Sequence, residues 1–548
     1  AAMIPLATHR PLGQDRAIRR PAGWTCGVAA AHPLAASAGQ EMLRLGGNAV
    51  DAACAAAWAL GVCEPGESGL GGQTTMLIHL AGGKNGPRRL VLDGHSHAPA
   101  SLTRKLVGPR AQQRGIRSTT VPSTPATLDE ALRRFGTLSL ATVLGPAMRL
   151  AFEGYAITRL QRRLLKWTAP FFAPDSQESR LFFGEDGAPH RVGFCFRQPV
   201  LGRTLERLAL HGVRDFYEGE IARAITRDME LRGGLIDAAD LKDLSLPVER
   251  EPMEIEYRGR RVVSIPPPGG GAQVLLALRI LEGLLRPKDD LASWHVYVAQ
   301  STRAAFRERE RWPDHPLDMS PSIARWMVSA QRSQRLVEDI REHREPERVR
   351  DTMGEDGNTT HLCAADPQGN VVSLTQSIQS VFGAKVANPE LGFVYNNYLS
   401  TCPRSPHPYR LGPGSLPQSN AAPTLVLDQE GRPLLALGSA GSRRITSSVV
   451  QVISGVLDRG LLVAEAVVAP RAHALISGPV WLERSAPIEV GAALAREVGP
   501  VKSLPHLNYK LGAVQALQWD ESGQLSAAAD PRRDGGVAGL EAVGVESP

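Results

Sequence analysis

Much of what would give this chain a special destination is missing from it. It has no run of about 18 apolar residues, which excludes a helix that spans a membrane. Residues 1–20 are polar and Arg-rich and lack the apolar centre of a signal peptide, so a soluble protein is expected, with the cytoplasm favoured. Cysteine is scarce. Cys26, Cys54, Cys63, Cys195, Cys363 and Cys402 lie far apart, match no zinc-ligand spacing and are too sparse for a disulfide framework. They are expected to be mostly free and buried, and no metal site is expected. No compact Lys/Arg block interleaved with aromatics occurs, which argues against a nucleic-acid partner. There is no internal repeat and no low-complexity tract.

What remains is the composition of a globular protein with a sizeable core: 43% hydrophobic residues, 22% charged residues and a formal net charge of +6 over 548 residues. Length alone suggests several domains, but large layered αβ folds also run as one body. The pattern predicts a buried strand over 27–32 and a helix from Pro33 that ends at the glycines 46–47. An Ala-rich helix over 49–60 is apolar nearly all round, which implies burial between layers. A hairpin is expected at 76–80 and 90–93, strands at 424–427 and 434–437, and a helix over 445–456. Residues 303–350, rich in Arg and Glu, read as a solvated tail with a helical piece at 323–343.

One stretch organises the rest. Asn358-Thr359-Thr360-His361-Leu362-Cys363-Ala364-Ala365-Asp366 and Asn370-Val371-Val372-Ser373-Leu374-Thr375-Gln376-Ser377 are β-prone runs joined by Pro367-Gln368-Gly369, the mark of a hairpin with a short Gly-containing loop. If Asp366 faces Asn370, the register sets Thr359 opposite Ser377, and two hydroxyls meet at the open end. From this stretch alone an ordinary hairpin is the simpler reading.

The stretch resembles the processing site of the γ-glutamyltranspeptidase family, whose precursors cut themselves before the first Thr of a Thr-Thr-His run. Further marks of that family follow in order: Gly46-Gly47-Asn48-Ala49-Val50-Asp51-Ala52-Ala53, the glycine-rich Glu64-Pro65-Gly66-Glu67-Ser68-Gly69-Leu70-Gly71-Gly72, and Ala529-Asp530-Pro531-Arg532-Arg533-Asp534-Gly535. The resemblance implies an α+β fold, a four-layer αββα sandwich of the N-terminal-nucleophile hydrolase type. It also implies cleavage at Asn358-Thr359 into a large subunit, 1–358, and a small subunit, 359–548, that stay one folded body, with a dimer of these heterodimers open to it.

The chemistry suits the residue. A threonine hydroxyl needs a base, and Thr359 at a new N-terminus would carry one in its own α-amino group, which titrates near pH 8. Neither a metal nor a cofactor is needed. Ser377 stands where relatives place a Thr that hydrogen-bonds the nucleophile, and Gln379 where they place a substrate-binding Asn. The Gly441-Ser442 N–H groups at a strand-to-helix turn suit an oxyanion, relatives having Gly-Gly there; a plain helix-start turn stays open. The pocket departs from the family. Its carboxylate-clamping Arg corresponds to His95, and the residues after the Asn396-Asn397 pair that hold the α-amino group become Tyr398 and Thr401. The usual Ser-Ser pair becomes Ser419-Asn420. A bidentate Arg is not replaced by His without changing what is bound. The leading expectation is therefore a self-processing hydrolase that cleaves an amide or related acyl bond in a small molecule other than a standard γ-glutamyl compound. The alternatives are hydrolysis of a C–C bond next to a carbonyl, as in the alkylproline-antibiotic branch; γ-glutamyl transfer with a rebuilt pocket; and an unprocessed binding protein.

Overall fold

Antiparallel pairing dominates the computed structural model, which describes residues 24–82, 86–173, 176–244, 247–310, 321–344 and 357–541. One sheet has 13 strands: β1 (Trp24–Ala30), β2 (Gln73–Leu80), β3 (Arg88–Gly94), β4 (Val248–Arg250), β5 (Met253–Tyr257), β6 (Arg260–Ser264), β7 (Asn358–Ala365), β8 (Val371–Gln379), β9 (Thr424–Leu427), β10 (Pro433–Ala440), β11 (Ala513–Trp519), β12 (Leu525–Ala529) and β13 (Gly536–Glu541). Their spatial order is β4-β3-β2-β8-β7-β1-β12-β11-β10-β9-β6-β5, with β13 also paired to β1. The expected α+β class is observed, as mixed helices and antiparallel sheet.

Side-chain alternation along each strand feeds two different cores. On β7, Leu362 and Ala364 join helices in one cluster, whereas Cys363 and Ala365 join Ala436 of β10 and Leu517 of β11 in another. This second core draws on both halves of the strand order, from β3 at one side to β6 at the other, so the halves face each other. The facing is close. The Ser373 hydroxyl donates to the Leu437 carbonyl at 3.0 Å, and a Cβ on Gly438 would fall 2.2 Å from the His361 ring. A third core packs helices α3 (Gly271–Leu284), α4 (Leu291–Arg309) and α5 (Arg444–Leu457) against strands β5, β6 and β9–β12.

Helices α1 (Pro33–Arg44) and α2 (Ala49–Cys63) lie in the first core. All fifteen residues of α2 are buried, as its all-round apolar pattern requires. Small residues allow the contact: a Cβ on Gly39 of α1 would sit 2.8 Å from the Ala52 carbonyl oxygen. Asn48 and Asp51 form a capping box at the start of α2, a device worth about 1 kcal/mol. The Asp51 carboxylate also accepts from the Thr137 and Leu138 N–H groups.

Two expectations change. The helical piece at 323–343 is two helices, Pro321–Met327 and Ala330–Arg341, because Ser329 caps the second by accepting from the Arg332 N–H. The solvated tail does not begin at 303. Residues up to Arg309 belong to α4, where Arg303 donates to the carbonyls of Leu475, Val498 and Gly478, and Arg309 is buried. Residues 345–350 lie outside the described residues. All six cysteines are free, and only Cys195 is exposed. No described helix is long and apolar enough to cross a membrane.

Candidate active site

The β7–β8 hairpin closes as its sequence predicts. The Asp366 N–H donates to the Asn370 carbonyl, and Gly369 takes the left-handed φ of 86° that the short loop demands. Pairing runs in the expected register from Ala365–Val371 to Thr360–Gln376, then shifts so that Gln379 faces Asn358. Helix α2 lies along this hairpin and is tied to both its ends. At the turn, the Asp366 carboxylate accepts from the Ala49 N–H at 2.9 Å, and at the open end the Thr360 hydroxyl donates to Glu64, one residue past α2, at 2.6 Å. A 15-residue helix is about 22 Å long, and the six steps from Thr360 to Asp366 span about 20 Å, so one measures the other.

At the open end, odd and even residues part company. Thr360 faces the helix layer and Thr359 faces away from it, toward Ser377. The two hydroxyls are 3.5 Å apart, and Ser377 makes its short contact elsewhere, donating to the Asn358 carbonyl at 2.6 Å while accepting from the Gln379 N–H at 2.8 Å. The Thr359 carbonyl accepts from Arg533 at 2.8 Å, and the same Arg533 nitrogen bonds Glu67 at 2.6 Å. Arg533 also lies over the Tyr509 ring, 4.6 Å from its centre. Thr359 is 7% exposed and Ser377 3%, so each of these bonds acts in a dry setting that strengthens it.

Two carboxyls beside the hairpin are raised above the usual carboxylate range. Burial, reinforced by the Glu67 charge, pushes Glu64 well above the usual carboxylate range. Burial likewise raises Asp534 to about 6. Both line a partly open cleft whose other walls include Glu67, Tyr155, Leu160 and Phe382. His361 is neutral: burial pulls it down to about 3, and its nitrogens meet the Thr375 hydroxyl and the Cys363 sulfur.

The turn from β10 into α5 comes up to the same bond. Gly441 has φ 120° and Ser442 φ 56°, a left-handed conformation in which a non-glycine residue is uncommon. Gly357, just before Asn358, lies against it, since a Cβ there would sit 2.8 Å from the Ser442 Cβ. The Asn420 amide donates to the Ser442 hydroxyl at 3.4 Å. Asn420 and the Ser419 carbonyl are in turn gripped by Arg309, at 2.7 Å each.

The remaining expected pocket residues are placed as follows. His95 Nδ1 pairs with Asp93, which also takes Arg250 at 2.8 Å, and His95 Nε2 has no partner among the described residues. Burial opposes the Asp93 charge, yet His95 and Arg250 outweigh it and hold the carboxyl below its ordinary value. Tyr398 is buried, and burial raises its phenol above the ordinary value, an effect that Ser377 and Gln73 beside it partly offset. Thr401 donates to the Tyr398 carbonyl at 3.0 Å. Asn397 is spent on the Ser380 N–H and the Gln113 carbonyl. Gln379 has φ 80° beside Asn358. Arg533, Glu64, Glu67, Arg309 and Gln73 were not singled out from the sequence. Three of them lie in motifs that were, the glycine-rich loop and the Arg-Arg pair near the end, while Arg309 and Gln73 carry no local signal.

Mixed helices and antiparallel sheet, with a threonine-bearing hairpin strand inside the sheet, are the architecture of an N-terminal-nucleophile hydrolase, and comparison with known proteins makes the assignment specific. The family model for gamma-glutamyltranspeptidase matches residues 35–540. The chain is 34% identical to the acylase ACY 1 proenzyme of Pseudomonas sp. (strain V22), covering 92% of this chain and 91% of that one. It is 31% identical to the glutathione hydrolase proenzyme of Escherichia coli (strain K12), covering 97% and 95%. Among solved structures it is similar to cephalosporin acylase from Bacillus halodurans, with a TM-score of 0.85, 28% identity and coverage of 99% and 100%. The chain belongs to the γ-glutamyltranspeptidase family and is an enzyme of that hydrolase and transferase class.

Proposed function

We propose that this chain is a self-processing N-terminal-threonine hydrolase that breaks its own Asn358-Thr359 bond and then cleaves an amide or related acyl bond in a small molecule other than a standard γ-glutamyl compound. The observation that carries the first half is the Ser377 hydroxyl on the Asn358 carbonyl at 2.6 Å, with the Thr359 hydroxyl beside it. A donor on that oxygen favours the negative charge that develops when Thr359 Oγ attacks the carbonyl carbon. The C–N bond then breaks and the nitrogen leaves with a proton as the Thr359 α-amine. The resulting ester is hydrolysed by water to the Asn358 carboxylate and the Thr359 hydroxyl. Gly441 and Ser442, adjoining the same bond, supply further donors. In turnover the freed amine acts as base and the same hydroxyl attacks the substrate.

The two pieces, 1–358 and 359–548, stay together because the sheet interleaves them. β7 pairs with β1 and β8 with β2, while β9 pairs with β6, each pair taking one strand from either side of the cut. The three separate cores support a four-layer αββα arrangement. His95, Gln379, Asn397, Ser419 and Asn420 border the substrate side, and the similarity to acylases favours an acylase-like substrate. Purified protein should yield a smaller piece beginning at Thr359, and Thr359→Ala should stay whole. N-terminal sequencing decides it: a different first residue, or cleavage of Thr359→Ala at the wild-type rate, sinks the mechanism.

A further inference from the structure

A chain end frays unless something holds it, and the cut that frees the Thr359 α-amine makes Thr359 a chain end. The structure holds this residue by its carbonyl, the side that the cut leaves intact. Arg533 Nη1 donates to that oxygen at 2.8 Å and to the Glu67 carboxylate at 2.6 Å. Glu67 is itself fixed from three sides. Its carbonyl accepts from the Ile378 N–H at 3.2 Å, its own N–H donates to the Glu64 carbonyl at 2.9 Å, and the Tyr509 hydroxyl donates to its other carboxylate oxygen at 3.4 Å. The ion pair is nearly dry, the Arg533 and Glu67 side chains being 1% and 2% exposed. Desolvating two charges offsets most of their attraction, so such a pair adds little net stability, and its place beside the nucleophile calls for another role. The pair also joins the two pieces: Glu67 belongs to 1–358 and Arg533 to 359–548, 466 positions further on.

Charge reaches the amine as well. In an extended residue the nitrogen and the carbonyl oxygen lie about 3 Å apart, which puts Arg533 Nη1 within about 6 Å of the Thr359 nitrogen. At that range a fixed cation disfavours the ammonium form and a carboxylate favours it. Other titratable groups surround the strand end. Burial holds Glu64 well above the usual carboxylate range, raises the Tyr509 and Tyr398 phenols, and keeps His361 neutral. Asp534, at about 6, is ionised where an α-amine titrates. On the side of α5, Arg443 pairs with Glu310 at 3.4 Å, and Arg444 and Arg163 lie near Tyr509. These groups, and the Asn358 carboxylate made by the same cut, stay the same when Glu67 or Arg533 is changed.

We propose that Arg533 and Glu67 are positioning residues for the mature nucleophile: Arg533 tethers Thr359 after the cut, and the balance of the two charges sets how readily the freed α-amine gives up its proton and serves as base. This rests on the self-cleavage reading above. The neutral amine is the form that takes the Thr359 hydroxyl proton in turnover, so the pair governs the pH at which the enzyme becomes active.

The test is the titration of the Thr359 α-amine in processed protein, read by competitive trace acetylation with acetic anhydride from about pH 5 to 10 against a free Thr-Thr-His peptide. Glu67→Gln keeps the side-chain shape and removes the charge, and it should lower the titration midpoint by about one pH unit. Arg533→Met should raise it by a similar amount, since Glu67 then faces the ammonium alone. Arg533→Lys keeps the charge and should stay near the wild type. So should the double variant Glu67→Gln/Arg533→Met, in which neither charge is left. A purely structural role would not order the four in this way. A midpoint in Glu67→Gln at or above that of the wild type, or one in Arg533→Met at or below it, overturns the proposal. So does a Thr359 amine that acetic anhydride reaches at no pH, or a pair of single variants that both fail to fold or both fold without being cut. If only one of the two matures, that one decides. A wild type without Thr359 as a new N-terminus overturns the self-cleavage reading itself, so the two failures are distinguishable.

Discussion

At the scale of single residues, the neighbour of the proposed nucleophile is the more revealing of the pair. The register expectation brought the Thr359 and Ser377 hydroxyls together, but their 3.5 Å separation is long for a hydrogen bond, whereas Ser377 meets the Asn358 carbonyl at 2.6 Å. In the proposed self-cleavage, Ser377 therefore acts on the bond to be broken more than on the group that breaks it. Ser377→Ala should slow cleavage of Asn358-Thr359 by roughly two- to several-tens-fold, as expected for losing a bond worth about 0.5 to 2 kcal/mol, and leave the melting midpoint nearly unchanged. Ser377→Thr should recover most of the rate. Equal half-times for wild type and Ser377→Ala would remove Ser377 from the mechanism. The hairpin's period of two, visible in sequence, set Thr359 and Ser377 opposite each other, and the resemblance to the family singled them out. Arg533, which bonds the Thr359 carbonyl across 174 positions, was not legible: nothing in periodicity ties a strand to a loop so far along the chain, although the Arg-Arg motif marked its place.

At the scale of elements, the hairpin is held like a ruler against α2, and the Ala-rich pattern predicted the helix's burial without predicting what its ends grip. Sequence reasoning placed the helix at 49–60, three residues short of its observed end at Cys63; those residues carry it to Glu64 and so to Thr360. It also misjudged 303–309, because Arg and Glu read as solvated when the partners of Arg303 and Arg309 come from distant segments. The carboxyls around the cleft beside Glu64 give a pH test. Asp534 is raised from its ordinary 3.8 to about 6 by burial, aided by the Glu67 charge, while Thr158 donates to it. Below about pH 4 it is protonated both folded and unfolded. Between 4 and 6 the unfolded chain releases the proton that the folded chain still holds, so the stabilisation from the neutral carboxyl is lost as pH rises through 6. Asp534→Asn cannot titrate. The melting midpoint of wild type relative to Asp534→Asn should be most favourable near pH 4, fall across pH 4 to 6 and level off near 7. A difference that stays flat over that range would show Asp534 ionised at its ordinary value.

At the scale of the whole molecule, the family was legible from ordered motifs spread over the chain, and the folded sheet follows from it; what the chain acts on depends on side chains whose partners only the fold reveals. In transpeptidases of this family, an Arg holds the substrate carboxylate, and polar and acidic groups hold its ammonium. Here His95 is tied to Asp93, whose carboxylate is already shared with Arg250, so this corner is internally neutralised. Burial raises the Tyr398 phenol, which keeps it neutral, and the Thr401 hydroxyl bonds the Tyr398 backbone. Neither carries a charge to answer an ammonium group. A γ-glutamyl substrate would bring both charges into a pocket that answers neither, and a desolvated ion without its partner costs about 2 to 5 kcal/mol. That is a loss of roughly 30- to several-thousand-fold at about 1.4 kcal/mol per decade. Fully processed enzyme should therefore turn over γ-glutamyl-p-nitroanilide at least that much more slowly, in kcat/KM, than a true transpeptidase assayed beside it. It should still react with acyl amides that lack the paired α-carboxylate and α-ammonium. Restoring the cation alone, as His95→Arg, should not rescue the activity, because Asp93 would take the new guanidinium as it takes His95. Efficient turnover of the γ-glutamyl anilide by wild type at neutral pH would mean that its two charges find partners other than the residues aligned with the family's, and the proposed substrate class would fall.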